Sequence, residues 1–242
     1  PAPSTVTIAV NGHHVSMPDS LRSSRYRFVV KGTGGVQLVK PDRGYTPGEF
    51  VRDLKRAERG SERAMQRVAD NVRFFGGVVN GPKQRGEFWE TVYTGTYWAL
   101  SLDALDRLPR VSEIEVVKVH GNVRATAWPG STGVVTLRDK GIRVASTLPR
   151  SGRLLVRNRG SEVDLVVVLQ LAPGKTVKDL REAVKGDPTA VISDIAVPVA
   201  LLSADTQALW GYSLPKGNYV FAGVRSVLHT RSFETLRSVR IA

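Results

Sequence analysis

The chain has 242 residues, 41% of them apolar, enough for one large domain or two of about 120 residues. Its 35 basic residues outweigh 22 acidic ones to give a net charge of +13, and the absence of cysteine excludes disulfides, thiol nucleophiles, zinc-thiolate sites and iron–sulfur clusters. The longest apolar runs, such as Val163 to Leu169, fall short of the roughly 18 residues a membrane span needs, so no span is expected.

The first residues, Pro1-Ala2-Pro3-Ser4, read as a processed mature end, and the expected location is outside the cell or in a bacterial cell envelope. Val6 to Pro18 predicts two short alternating strands joined at Asn11-Gly12, a dipeptide suited to a two-residue hairpin turn. His13, His14 and Met17 in this hairpin are metal-like, because imidazole and thioether both suit copper. Consecutive strand residues face opposite sides, so the competing reading is an ordinary exposed histidine pair. Tyr26 to Val30 and Val36 to Val39 predict further strands. Gly32-Thr33-Gly34-Gly35 joins them as a turn; it opens no helix and is not read as a phosphate loop.

Thr46-Pro47-Gly48-Glu49 predicts a helix start, a capping box with proline at the first helical position, followed by the buried face Phe50, Val51 and Leu54. Arg52, Lys55, Arg56, Arg59 and Arg63 recur at three- and four-residue steps on this stretch. They are either a solvated helix surface or a contact for a polyanion. A polar helical stretch is predicted over Ser61 to Phe74, with Ala64, Val68, Ala69 and Val72 on one face. Trp89 to Leu102 predicts a hairpin in which alternate rings enter the core and others reach outward. Tyr93, Tyr97 and Trp98 are the candidate aromatic surface, with core filling as the alternative.

The same order then returns. Val135 to Pro149 repeats the first hairpin, Leu154 to Arg157 and Val163 to Leu171 repeat the next two strands, and Thr176 with Asp179 repeats the helix start in a weaker form. Val177, Leu180 and Val184 match the buried helix face, and Trp210 to Val224 is matched to the strands beginning at Trp89. The extra helical stretch has no counterpart, only a short loop at Gly186-Asp187-Pro188. An internal repeat of this kind implies two similar domains, placed here at residues 4–120 and 121–242.

Leu214-Pro215-Lys216-Gly217-Asn218-Tyr219 is similar to the segment that leads into the copper-binding strand of cupredoxins. Val156-Arg157-Asn158-Arg159-Gly160 resembles that family's V-x-N-x-G strand end, and Leu171-Ala172-Pro173-Gly174-Lys175-Thr176 resembles the L-x-P-G-x-T of bacterial cupredoxin-like exported proteins. The resemblance covers most of the second half, and the first half through the repeat. It implies a mainly β chain of two tandem Greek-key, cupredoxin-like β-sandwich domains, each with an inserted helix. The family's blue-copper centre uses two His, one Cys and usually a Met. By the resemblance Asp164 stands near the first His and Gly223 near the Cys, with Gln37 and Ser101 near those places in the first half. His229 stands near the second His, with no Met after it. A thiolate is central to such a centre, so a blue-copper site is excluded and no cofactor is expected.

No nucleophile elbow, zincin motif or phosphate-binding loop is present, and His120 and His229 are isolated in sequence, so no catalytic residue is assigned and the chain is not expected to be an enzyme. The expectation is an exported protein for binding or assembly. Its candidate partners are an anionic polymer such as cell wall, polysaccharide or nucleic acid, an anionic lipid, a protein partner, or a second copy paired through sheet edges as a homo-oligomer. The alternative is a copper-handling protein using His13, His14 and Met17.

Overall fold

The computed structural model describes residues 2–80, 86–102, 108–124, 126–183, 190–225 and 233–242. The chain divides into two compact units, Pro1–Pro129 and Gly130–Ala242. The division falls beyond residue 120 because the last strand of the first unit runs on to Arg124. The segment after it is held to its own unit by Arg25, whose guanidinium donates to the Thr126 carbonyl oxygen and lies 4.2 Å over the Trp128 ring.

Unit 1 is built from β1 (Ser4–Asn11), β2 (His14–Ser16), β3 (Ser20–Gly32), β4 (Gly34–Pro41), α1 (Pro47–Glu58), α2 (Glu62–Asn71), β5 (Val72–Asn80), β6 (Glu87–Val92), β7 (Gly95–Ser101) and β8 (Glu115–Arg124). One sheet is β2-β1-β3-β6, in which β1 runs parallel to β3 and β6 antiparallel to it. The other is β5-β4-β7-β8, antiparallel throughout. The long β3 serves both: Ser20 to Arg22 pair in parallel with Lys118 to His120 of β8, and beyond a register shift at Ser24 the strand joins the first sheet. Val6, Ile8 and Val10 alternate inward along β1, opposite Phe28 and Val30 of β3, and Phe28 stacks on Phe88 at 5.0 Å. This alternation is the period-two pattern of a sandwich face.

Unit 2 repeats that pairing with β9 (Gly133–Arg138), β10 (Gly141–Arg143), β11 (Thr147–Leu148), β12 (Ser151–Asn158), β13 (Asp164–Leu171), α3 (Val177–Ala183), β14 (Ile192–Leu202), β15 (Gln207–Ser213), β16 (Gly217–Arg225) and β17 (Phe233–Ile241). Here β10-β9-β12-β15 forms one sheet and β14-β13-β16-β17 the other, with β11 parallel to β17 as the start of β3 is to β8. The chain is therefore mainly β, in cupredoxin-like Greek-key sandwiches that each carry helix at one place, between β4 and β5 in unit 1 and between β13 and β14 in unit 2.

Each helix begins as its sequence dictates. At α1 the Thr46 hydroxyl accepts from the Glu49 N–H while the Glu49 carboxylate accepts from the Thr46 N–H. At α3, Asp179 and Thr176 make the same two bonds, at 3.3 and 2.7 Å. These bonds satisfy backbone donors that a helix start otherwise leaves open. Leu180 of α3 then packs on Leu169, Leu171, Val220, Ala222 and Leu236, covering the outer side of its sheet.

Three local expectations change. Asn11 pairs with His14, so the first hairpin turns at Gly12-His13 and not at Asn11-Gly12; Gly12, at φ 58°, takes the first central place, where a two-residue turn of this hand wants glycine. The helical stretch expected to reach Phe74 stops at Asn71, Ala69 is exposed, and Val72 to Phe74 open β5. The third change is one of register. Tyr26 lies opposite Glu90 in unit 1, and the matching residue of unit 2, Leu154, lies opposite Trp210. Trp210 thus corresponds to Glu90, not to Trp89, and a slip of one residue reverses the face a strand residue takes. Val184 and the loop at Gly186-Asp187-Pro188 lie outside the described residues.

Candidate functional site

Helix α1 lies on the second sheet of unit 1 with Phe50, Val51, Leu54 and Ala57 buried. Phe50 meets Trp98 of β7 at 5.5 Å, and Tyr45 meets the same ring at 6.4 Å. The opposite helix face carries Arg52, Lys55, Arg56 and Arg59, and Arg63 follows at the start of α2; all five are exposed. Arg52 stands 3.8 Å from Glu49. Among the described residues no ion pair engages Lys55, Arg56, Arg59 or Arg63. Glu58, Glu62 and Asp70 lie along the same two helices, so the cations are interleaved with acids.

Arg67 belongs to a different arrangement. Its Nη2 and Nε donate to the two carboxylate oxygens of buried Asp53 at 2.7 and 3.1 Å, and the Tyr45 hydroxyl donates to the same carboxylate at 3.0 Å. The Arg67 hydrogen bonds, and next those of Tyr45, hold the Asp53 carboxyl below its ordinary range, while burial and the adjacent carboxylate push the Tyr45 hydroxyl up. This network ties α2 to α1 and fixes the basic surface on a rigid base.

The expected aromatic surface reduces to Tyr93, which is 49% exposed. Tyr97 and Trp98 are corrected, since each is 2% exposed. The Trp98 ring is covered by α1. Tyr97 points the other way, between the sheets, where it meets Phe75 at 5.6 Å and accepts from the Tyr93 N–H; burial pushes its hydroxyl up to about 12. Alternation in the strand was the correct premise, but the helix closes the side that alternation leaves outward.

In the first hairpin, His13 sits in the turn and is half-buried, His14 is exposed, and Met17 is buried. The Nδ1 of His13 is shielded from solvent and has no hydrogen-bond partner. His14 turns outward, so the three do not face one point. Among the described residues no three or more His, Asp or Glu side chains are grouped to hold a metal ion.

The positions assigned by resemblance to copper ligands carry other roles. Gln37 is buried on β4 and donates to the carbonyl oxygens of Leu38 and Gly76, where β4 and β5 shift register. Ser101 donates to the Gly12 carbonyl oxygen. Asp164 is buried at the start of β13, opposite Leu202 and Arg225. Gly223 leaves little room for a side chain, because a Cβ there would stand 2.7 Å from the Thr235 hydroxyl. His120 is exposed on β8, and His229 lies outside the described residues.

Two polar residues of the core, Asn158 of the V-x-N-x-G strand end and Glu90, have roles that sequence does not show. Asn158 is fully buried and donates to the carbonyl oxygens of Glu162 and Leu202 while accepting from the Gly160 N–H. Glu90 is 4% exposed on the inward face of β6, in a strand whose other polar residues, Glu87 and Thr91, leave no sequence signal of its role.

Neither a family model nor a curated protein sequence matches the chain. Among solved structures, it is similar to an auracyanin of Roseiflexus castenholzii at 15% identity and TM-score 0.29, over 47% of this chain and 99% of that one. It is also similar to the copper-containing nitrite reductase of Thermus scotoductus at 10% identity and TM-score 0.29, over 98% of this chain and 61% of that one. The copper nitrite reductase of Nitrosomonas europaea matches at 10% identity and TM-score 0.28, over 100% and 94%. The fold assignment rests on strand order and register, not on these scores. The expectation that the chain is not an enzyme is corrected, because structures of this likeness include nitrite reductases, which are enzymes.

Proposed function

We propose that the protein works by binding an anionic polymer through the helical face of unit 1, with cell-wall polymer or acidic polysaccharide as the class of partner. The observation that carries this reading is the exposed set Arg52, Lys55, Arg56, Arg59 and Arg63, held on a base that Arg67 and Asp53 make rigid. A net charge of +13 adds a field that draws polyanions from any side. Export to the cell envelope, a protein partner and self-association are parts of the same proposal; no helix among the described residues is long and apolar enough to cross a membrane.

Binding to cell-wall polymer, heparin and DNA across a salt series tests it. The expected result is affinity that falls steeply with salt and falls further when Arg52, Lys55 and Arg59 are changed together to Glu. Equal binding by the charge-reversed chain would move the contact elsewhere, and no binding at low salt would end the proposal.

A second reading, copper handling, is favoured by one observation: the unpartnered Nδ1 of His13, with Met17 also buried in the same hairpin. Cu(I) and Cu(II) titration of the purified chain tests it, with stoichiometric binding lost in His13→Ala expected. No uptake at micromolar copper would refute it.

A further inference from the structure

Glu90 is placed where a sandwich normally keeps a hydrocarbon. In register it faces Tyr26 of β3, two pairs along and on the same face as the stacked rings of Phe28 and Phe88, with Val92 buried beyond it. Its Oε1 accepts 2.7 Å from the Thr91 N–H, and its Oε2 is buried with no hydrogen-bond partner. Neither neighbouring hydroxyl bonds to Oε2: Tyr26 donates its proton to the Arg22 carbonyl oxygen, and Tyr97, whose oxygen accepts from the Tyr93 N–H, gives Oε2 no hydrogen bond. The charged group that acts on it is Arg25. That side chain lies on the other face of β3, bonded to Thr91 and the Thr126 carbonyl oxygen, and gives the carboxylate no direct hydrogen bond.

A carboxylate so enclosed lacks both water and a counter-charge in contact, and burial of an unpaired charge is among the costliest changes a core can undergo. The neutral acid avoids that cost, and burial accordingly raises the Glu90 carboxyl well above its ordinary range. Unit 2 supplies an internal comparison, because the matching position holds Trp210, which has no acid to lose.

We infer that Glu90 makes unit 1 loosen as the pH rises, while unit 2, with Trp210 at the matching place, does not respond. The proton passes from Glu90 to solvent, and the ionised side chain gains by leaving the space between the sheets, which frees β6 from β3. The sign follows from linkage. A carboxyl that holds its proton more tightly when folded gives stability that is complete below the ordinary carboxylate range, and that stability is lost as the pH rises toward the folded value.

Peptide-resolved hydrogen exchange on the full chain reads the two units separately. With the intrinsic rates corrected, protection in β3 and β6 is expected to fall with rising pH, by at most about tenfold per pH unit because one proton is involved. Protection in β12 and β15 is expected to stay level over the same range. Glu90→Gln, which cannot ionise, is expected to make unit 1 level too. A wild-type unit 1 without pH dependence, or the same slope in Glu90→Gln, would overturn the inference. Should Glu90→Gln not fold, the infrared spectrum of wild type with labelled glutamate decides: a protonated carboxyl band persisting at neutral pH is expected, and its absence overturns the inference.

Discussion

Replacing Trp98 by Ala asks whether the ring is surface or core. As an exposed stacking platform it would contribute little to stability, and its loss would change stability by no more than about 0.5 kcal/mol. The structure gives a different value. The ring is 2% exposed and touches Phe50 and Tyr45 on its helix side. A buried tryptophan removes roughly 150–250 Å² from water, which at about 25 cal/mol per Å² is about 4–6 kcal/mol. The alanine methyl retains part of that, and truncations of this size in cores cost about 3–5 kcal/mol. With a urea dependence of about 2 kcal/mol per M for a unit of this size, the midpoint of unit 1 should fall by roughly 1.5–2.5 M. Urea unfolding followed by Trp89 and Trp128 fluorescence reads this unit, since Trp210 is the one remaining tryptophan and belongs to unit 2. A double-mutant cycle with Phe50→Ala should return a coupling of about 0.5–1.5 kcal/mol for the ring contact. A loss below about 1 kcal/mol with no coupling would mean that α1 does not cover this ring, and the burial argument would fail.

Three further outcomes follow from the same geometry. Thr46→Ala and Thr176→Ala should each cost about 1 kcal/mol, the first in unit 1 and the second in unit 2, as read by urea midpoints. Asn158→Ala should destabilise unit 2 by about 2–4 kcal/mol in the same assay, because it removes the partner of the Glu162 carbonyl oxygen and strands the Gly160 N–H and the Leu202 carbonyl oxygen, whose bonds are buried. In an ultraviolet titration of tyrosinate, Tyr97 should ionise near pH 12, and Tyr97→Phe should remove that late step. Tyr97 holds its proton more tightly when folded, so its share of stability is complete below pH 10 and disappears between about 10 and 12.

The repeat was legible because its strongest signals are local. Thr46 with Glu49, and Thr176 with Asp179, specify a helix start through bonds spanning three residues, and both starts form as expected. Alternation likewise exposes β1 and β9. Signals that depend on another strand were not legible. The Gly76-Gly77 pair in β5 breaks any propensity for a strand, yet a Cβ at Gly77 would stand 1.8 Å from the Val36 carbonyl oxygen, so glycine is the fee for a close approach to β4 that sequence does not display. Matching Trp89 to Trp210 was natural from composition, but only cross-strand register shows that Glu90 holds the equivalent place. The basic helix face was readable from its spacing. The diversion of Arg67 to Asp53 was not, because their bond depends on how α2 folds back on α1.

The two units keep the same strand pairing but fill their polar positions differently, and this difference bears on function more than the shared pairing does. In unit 1 the places matched to copper ligands are occupied by Gln37, bonded to the irregular β4–β5 backbone, and by Ser101, bonded to the first hairpin. In unit 2 the corresponding region is organised by Asn158, which gathers three backbone groups around the turn after β12, with Asp164 buried beside it at the head of β13. Amides, a hydroxyl and backbone carbonyls do not make a thiolate centre in either place. They do satisfy the buried backbone at the ends of the strands, which any residue replacing a metal ligand must accomplish if the sandwich is to stay closed. Among the described residues unit 1 then adds a second helix, α2, and with α1 it carries the exposed basic face of the proposed polyanion contact, so the units share an architecture while this helical face belongs to the first.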